Sequence, residues 1–261
     1  MADNTPVQID SWGHLKTYTR ARIALGRTGV SLPTEEILQF SYAHAMARDA
    51  VHAPLDASAL SARLQQNGFE SLQVGSAVPD RTSYLLRPDL GRQLAAESAA
   101  LLGTTGPAGC DLALVVGDGL SSLAVTRHAL PVLVALRELL PQGWRVAPVI
   151  VAQQVRVALS DEIGALLKAR VVAILVGERP GLTAADSLGI YITYQPHVGR
   201  QDSERNCISN IRPEGLSYAE AARKALWLIT EAMRLQLSGV GLKDQSEMVQ
   251  ITQSRPLLGE A

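Results

Sequence analysis

Short, almost wholly apolar runs alternate with helix-like stretches through the second half of this chain, and that rhythm leaves few folds open. Asp111 to Val116 (DLALVV), Val146 to Ala152 (VAPVIVA), Val171 to Val176 (VVAILV) and Gly189 to Tyr194 (GIYITY) are runs of the kind found in buried parallel strands. Between them the pattern turns helical over Ser122 to Leu140, where Pro131 predicts a kink, and over Asp161 to Lys168. A long helix from Tyr218 to about Leu237 closes the series, with Ala222, Ala225, Leu226, Ile229 and Met233 on one face. Strand, helix, strand, helix in sequence predicts an α/β fold: a Rossmann-like parallel sheet with helices on both faces.

The part before Gly109 reads differently. Residues 1–108 are expected to be a helical N-terminal region with a loose polar tail at Met1 to Asp10, and residues 109–261 the sheet domain. Thr34 looks like the cap of a helix with Glu35 and Glu36 in its first turn, running through Ile37, Phe40, Ala43 and Ala47 and ending before Pro54. A second helix should follow Asp56. A third should follow Pro88, with Leu94 and Leu101 two turns apart on one face. Leu102 to Ala108, rich in Gly, Thr and Pro, is the expected hinge.

Composition removes several functions. Lys and Arg number 24 against 25 Asp and Glu, and aromatic residues are 4%, so a dedicated nucleic-acid surface has neither the charge nor the stacking platforms it needs. No apolar run approaches the roughly 20 residues that span a bilayer, and Met1 to Lys16 lacks a signal-peptide pattern. Cys110 and Cys207 cannot form a disulfide framework or a zinc site by themselves, which suits a reducing cytoplasm. Charged residues are 19%, below the roughly 25% of soluble domains. Either part of the surface is hidden in a permanent partner, or the chain is simply rich in Ala and Leu.

Ligands of such sheets gather at the carboxyl ends of the strands. Gly117-Asp118-Gly119-Leu120-Ser121-Ser122 approaches a dinucleotide fingerprint, but Ser122 stands where the third glycine belongs, and the second strand runs into Gln153 and Gln154 rather than a ribose-binding acid. The loop is a backbone-lined ligand loop or a tight turn; an NAD-dependent oxidoreductase is the alternative function it allows. In Gly177-Glu178-Arg179-Pro180-Gly181-Leu182, flanking glycines permit close approach, and Glu178 at the rim could accept hydrogen bonds from a ligand or pair with Arg179 or Arg205. Arg200 to Gly215 (RQDSERNCISNIRPEG) is a long polar segment around Cys207, either a thiol nucleophile with His197 as the nearest base or a small buried contact. His14, His44, His52 and His128 show no metal-ligand spacing, and the cluster Arg20, Arg22 and Arg27 reads as a solvated face or an acidic partner's contact.

Longer strings carry more. ARIALGRTGVSLPTEEIL near the N-terminus, ARDAV at Ala47 to Val51, DLALVVGDGLSS at Asp111 to Ser122, GERPGL at Gly177 to Leu182, DSLGIYITYQP at Asp186 to Pro196, RNCISNIRPEGLSY at Arg205 to Tyr218 and LSGVGLKD at Leu237 to Asp244 stand in order along the chain. Together they resemble the small (light) subunit family of ethanolamine ammonia-lyase.

That resemblance implies a holoenzyme that uses adenosylcobalamin to convert ethanolamine to acetaldehyde and ammonia by a radical rearrangement. The large subunit would bind ethanolamine and carry most of the chemistry. The small one would cover the cobalamin at the interface with no catalytic residue of its own, within a higher hetero-oligomer. The family's cobalamin contacts fall on Val157 in QVRVAL, Glu178 in GERPG and Cys207 in RNCIS. No Asp-x-His-x-x-Gly string is present, so the cofactor's own base is expected to stay on cobalt. The resemblance also adds a bacterial microcompartment as a destination, toward which the helical N-terminal part would help direct the protein, the alternative for that part being a simple packing extension; nothing in Met1 to Arg27 itself marks it.

Overall fold

The computed structural model describes residues 7–105 and 109–247. It is an α/β protein built on one six-stranded sheet. The strands are β1 (Ser71–Gly75), β2 (Cys110–Gly117), β3 (Val149–Gln153), β4 (Ala169–Gly177), β5 (Leu188–Tyr194) and β6 (Asn206–Ile211), in the order β1-β3-β2-β4-β5-β6. β1, β3, β2 and β4 are mutually parallel, whereas β5 pairs antiparallel with β4 and β6 antiparallel with β5. The all-parallel expectation therefore holds for four strands. β4 and β5 are separated only by the 178–187 loop, and no crossover helix intervenes.

The helices are α1 (Thr34–His52), α2 (Ala57–Gln66), α3 (Arg81–Leu86), α4 (Ala96–Thr105), α5 (Ser122–Leu139), α6 (Leu159–Leu166) and α7 (Tyr218–Leu235). Side chains of the central strands point alternately to two cores. Leu112, Leu114 and Val116 of β2, with Val171, Ala173 and Leu175 of β4, meet α2, α5 and α7 on one face. Ala113 and Val115, with Val172, Ile174 and Val176, meet residues of α4 and α6 on the other. A strand with both neighbours covered has no polar side, so these runs read as continuous apolar strings. The α7 start is fixed by a capping box: Ser217 Oγ accepts from Glu220 N, and the Glu220 carboxylate accepts from Ser217 N.

Four expectations change. Residues Ser71–Gly75 were part of the region expected to be helical, yet they form β1 and pair with β3, so the sheet crosses the boundary drawn at Gly109. Leu94 lies outside α4 and bridges Ser76 instead of sharing a helix face with Leu101. Residues 102–105 of the expected hinge are the last turn of α4, and 106–108 lie outside the described residues, as do residues 1–6 of the expected tail. Thr34 is the first helical residue, and Pro33 occupies the cap without a side-chain bond. α1 itself buries only Ala50, leaving Ile37, Leu38, Phe40, Tyr42 and Met46 exposed.

Candidate functional site

α6 covers β4 on the second face and reaches the end of β5 through Asp161 and Arg205, but among the described residues no helix packs extensively on β5 and β6 there. β5 and β6 turn Leu188, Ile190, Ile192, Ile208 and Ile211 inward to the α7 side. Their alternate residues, Tyr191, Cys207 and Ser209, consequently line open space. Two adjoining depressions occupy that uncovered face. The first, about 430 Å³, lies at the carboxyl ends of β2 and β4 and is walled by Gly119, Val176, Gly177, Glu178 and Ser209. The second, about 410 Å³, runs down β5 and β6 past Asp202, Arg205 and Cys207. Arg156, Val157 and Tyr191 line both. β2 connects through α5 to β3 on one side, while its other neighbour is β4, so the first depression sits where the strand order reverses.

Glu178 is held by hydroxyl and amide donors, and neither Arg179 nor Arg205 pairs with it. Ser187 Oγ donates to Oε2, Asn210 N donates to the same oxygen at 3.2 Å, and Ser209 Oγ donates to Oε1 at 2.5 Å. A bulge makes this possible. Between Leu188↔Ile211 and Ile190↔Ile208 the β6 strand carries one residue more than β5, with Asn210 at φ +60. The extra residue turns both the Ser209 side chain and the Asn210 amide toward the carboxylate. A carboxylate has about four lone-pair sites, so with three donors bound it keeps room for one more. Gly189 makes the space: a Cβ there would lie 3.0 Å from Glu178 Oε1.

Val157 is placed by a buried carboxylate. Asp118, 2% exposed, accepts from Gln154 N at 2.9 Å and Val155 N at 3.0 Å, locking the end of β3 onto the β2–α5 loop. Burial raises the Asp118 pKa, and the two amides and Arg81 pull it back only in part. Tyr84, wholly buried, donates its hydroxyl to Val155 O at 2.8 Å, and burial pushes its pKa up to about 12. Arg156 N donates to Gly91 O, which holds the next turn of chain and brings Val157 into both depressions.

Cys207 lies on β6 directly opposite Tyr191 of β5, so the long polar segment 200–215 contains a strand. Its surface is exposed to the second depression. Burial of the sulfur by its strand neighbours raises the thiol pKa, the hydrogen bond from the Tyr191 hydroxyl offsets part of this, and the Glu178 charge adds to the rise. A raised thiol is protonated and a poor nucleophile at neutral pH. His197 lines neither depression; its Nδ1 is 3.1 Å from Gln195 O. Two residues upstream, Arg205 makes a two-pronged pair with Asp161 at 2.6 and 2.8 Å, both side chains 2% exposed, which pins β6 against α6.

The Gly-rich loop does not resemble a nucleotide cradle. Gly119 has φ +55, and a Cβ there would lie 2.3 Å from Gly177 O; a Cβ on Gly177 would lie 2.0 Å from Ser121 O. The glycines serve close packing of the β2–α5 loop on β4. Ser122, in the place of the third glycine, donates its hydroxyl to Ala53 O. Among the described residues no group of three or more His, Cys, Asp or Glu could hold a metal ion, and no helix is long and apolar enough to cross a membrane. Tyr84, Arg156, Tyr191, Ser187 and Ser209 complete the site without being sequence candidates, and Asp118 is named in the sequence only as part of the Gly-rich loop. The two serines stood inside quoted strings, but their contacts with Glu178 span 9 and 31 residues.

Comparison with known proteins adds the family. The profile described as "Ethanolamine ammonia-lyase light chain (EutC)" matches residues 9–243. The chain is 54% identical over 259 residues to an ethanolamine ammonia-lyase small subunit of Pseudomonas fluorescens, covering 96% of this chain and 94% of that one. Small subunits of Azotobacter vinelandii (54% over 255 residues, 96% and 94% covered) and Ralstonia nicotianae (56% over 252 residues, 94% and 93% covered) are similarly close. Matched across nearly its whole described length, the chain belongs to the ethanolamine ammonia-lyase light-chain family.

Proposed function

We propose that this chain is the small subunit of an adenosylcobalamin-dependent ethanolamine ammonia-lyase, and that its open sheet face covers the cofactor where it meets a large subunit. The observation that carries this reading is the convergence of Val157, Glu178 and Cys207. They come from three separate segments, and all line one continuous concave surface. Its form suits the group: an open depression can lie against one face of a wide macrocycle, which a closed pocket of this size could not hold. When bound, adenosylcobalamin supplies the radical that starts the rearrangement.

The chain's own residues would bind, orient and shield. Glu178, fixed by its three donors, offers its remaining acceptor site to an amide N–H on the corrin rim. Val157 and the protonated Cys207 give small contacts against the ring, and together the wall keeps water from the reactive side. Ethanolamine and the catalytic groups would belong to the large subunit. The exposed Trp12, Tyr18, Leu38, Phe40 and Tyr42 are surface for that subunit and for a higher hetero-oligomer, and they account for the low charge fraction. The same reading puts the assembly in the cytoplasm, with a bacterial microcompartment as a further destination. Nothing favours the NAD-dependent alternative: Ser122 replaces the third glycine, β3 runs into Gln153 and Gln154 rather than an acid, and the relatives are ethanolamine ammonia-lyase small subunits.

Acetaldehyde should form from ethanolamine and adenosylcobalamin only when this chain and its large subunit are mixed. Glu178→Ala should raise the cobalamin Kd of the assembly roughly tenfold, the worth of one charge-assisted hydrogen bond, without dissociating the subunits. Unchanged affinity in an intact assembly would reduce the chain to a structural subunit.

A further inference from the structure

Two guanidinium groups lie on the Tyr84 ring, Arg81 at 4.5 Å and Arg156 at 4.2 Å from its centroid. Only one has a counter-charge. Arg81 is 3.4 Å from the Asp118 carboxylate and donates to Val51 O at 2.7 Å. Arg156 donates Nη2 to Tyr84 O at 3.0 Å, and among the described residues no carboxylate lies within 4 Å of it. Its Nε is buried with no partner. The half-buried cation is thus held in place by an aromatic ring and a carbonyl, at the wall shared by both depressions.

The acids nearby are already committed. Glu178 is taken by Ser187, Ser209 and Asn210, and Asp202, the one carboxylate lining the second depression, lies 3.5 Å from Arg205. Arg92 lines that same depression from the turn docked on Arg156, with Gly91 O receiving Arg156 N at 2.8 Å, and it too has no carboxylate partner among the described residues. Among the described residues, then, a half-buried cation and an exposed one share a concave wall with no carboxylate paired to either, and an anion there would satisfy the half-buried Arg156 first.

We propose that Arg156, aided by Arg92, binds a phosphodiester, and that on the cobalamin reading it holds the phosphodiester of the cofactor's nucleotide loop. A planar guanidinium already fixed on Tyr84 loses little freedom when it takes two phosphate oxygens. The site lies directly beside Val157, so the contact to the ring and the contact to the loop come from adjacent residues on one turn of chain.

The test separates the phosphate from the ring. Cobalamin, cobinamide phosphate (the phosphate without the base) and cobinamide (neither) are titrated into the assembled two-subunit protein, and Kd is read from the absorbance change of the corrin. Arg156→Gln should weaken cobalamin and cobinamide phosphate roughly tenfold or more while leaving cobinamide within about twofold. Arg156→Lys should fall between. Arg92→Gln, a substitution at an exposed side chain, should weaken the same two ligands by about threefold with no effect on folding. Equal loss for all three ligands, or undiminished cobalamin affinity in both glutamine variants, would overturn the assignment while leaving the cobalamin reading intact. Failure of the unsubstituted assembly to bind cobalamin would overturn both.

Discussion

Replacing Arg205 with methionine isolates the interaction that fixes the floor of the second depression. The guanidinium donates to both Asp161 oxygens, to Thr193 Oγ1 at 3.2 Å and to Arg200 O at 2.9 Å. Methionine preserves much of the volume and abandons Asp161, 2% exposed, as an unpaired buried carboxylate. Removing one partner of such a pair costs about 3–5 kcal/mol. The stranded Thr193 hydroxyl keeps the estimate near the middle of that range, about 4 kcal/mol. With a urea slope of about 3 kcal/mol/M, the unfolding midpoint should drop by more than about 1 M. Arg205→Met/Asp161→Leu, which removes both charges, should recover most of the loss. The deficit should also depend on pH. Burial raises the Asp161 pKa in the folded protein, and the Arg205 hydrogen bonds and charge hold that rise down. A raised folded pKa means stability is greatest below the ordinary carboxylate value and falls as pH climbs to the folded one. Without Arg205 the folded pKa is higher still, so the gap between the two proteins should be small in acid and widen above the native Asp161 pKa. A loss below about 1 kcal/mol at neutral pH, or a double variant no more stable than the single, would refute the reasoning.

Gly177→Ala should prevent the β2–α5 loop from seating, because its Cβ would meet Ser121 O at 2.0 Å and Asp118 O at 2.6 Å. A loss of about 3 kcal/mol or more in denaturant unfolding is expected, against none for Gly103→Ala in α4, where nothing lies within 4 Å and φ is not positive. Ser217→Ala breaks the α7 capping box and should cost about 1 kcal/mol by the same measurement. On the proposed cobalamin reading, EPR of the two-subunit assembly with cobalt(II) cobalamin should show superhyperfine coupling to the corrinoid's own base; coupling to isotopically labelled protein histidine would refute that expectation.

The Glu178 environment shows how far sequence reading reaches. GERPGL marks the residue, and the sequence alone leaves open whether Glu178 meets a ligand or pairs with Arg179 or Arg205. Folding sends Arg205 to Asp161 and gives Glu178 two serines and an amide instead. That exchange depends on a bulge of one residue in β6, which no periodicity reveals, since Asn206–Ile211 is polar on one side and carries an Asn at positive φ. β1 escaped for a similar reason. SLQVG is an edge strand with one buried residue, Val74, too short and too mixed to show either a two-residue or a 3.6-residue period.

What the sequence determined alone was the central α/β architecture and the family. Buried strands must be apolar on both sides and helices on one, so β2, β3, β4, β5, α5, α6 and α7 are written locally. Long strings such as RNCISNIRPEGLSY identify the family without any fold. Only the tertiary structure decided that β5 reverses direction, that β5 and β6 leave one face uncovered, and that Arg156 stands beside Val157 without a counter-charge. These depend on which distant segments meet. Ion pairs, bulges and open faces are settled by contacts tens of residues apart, to which local residue preference is blind.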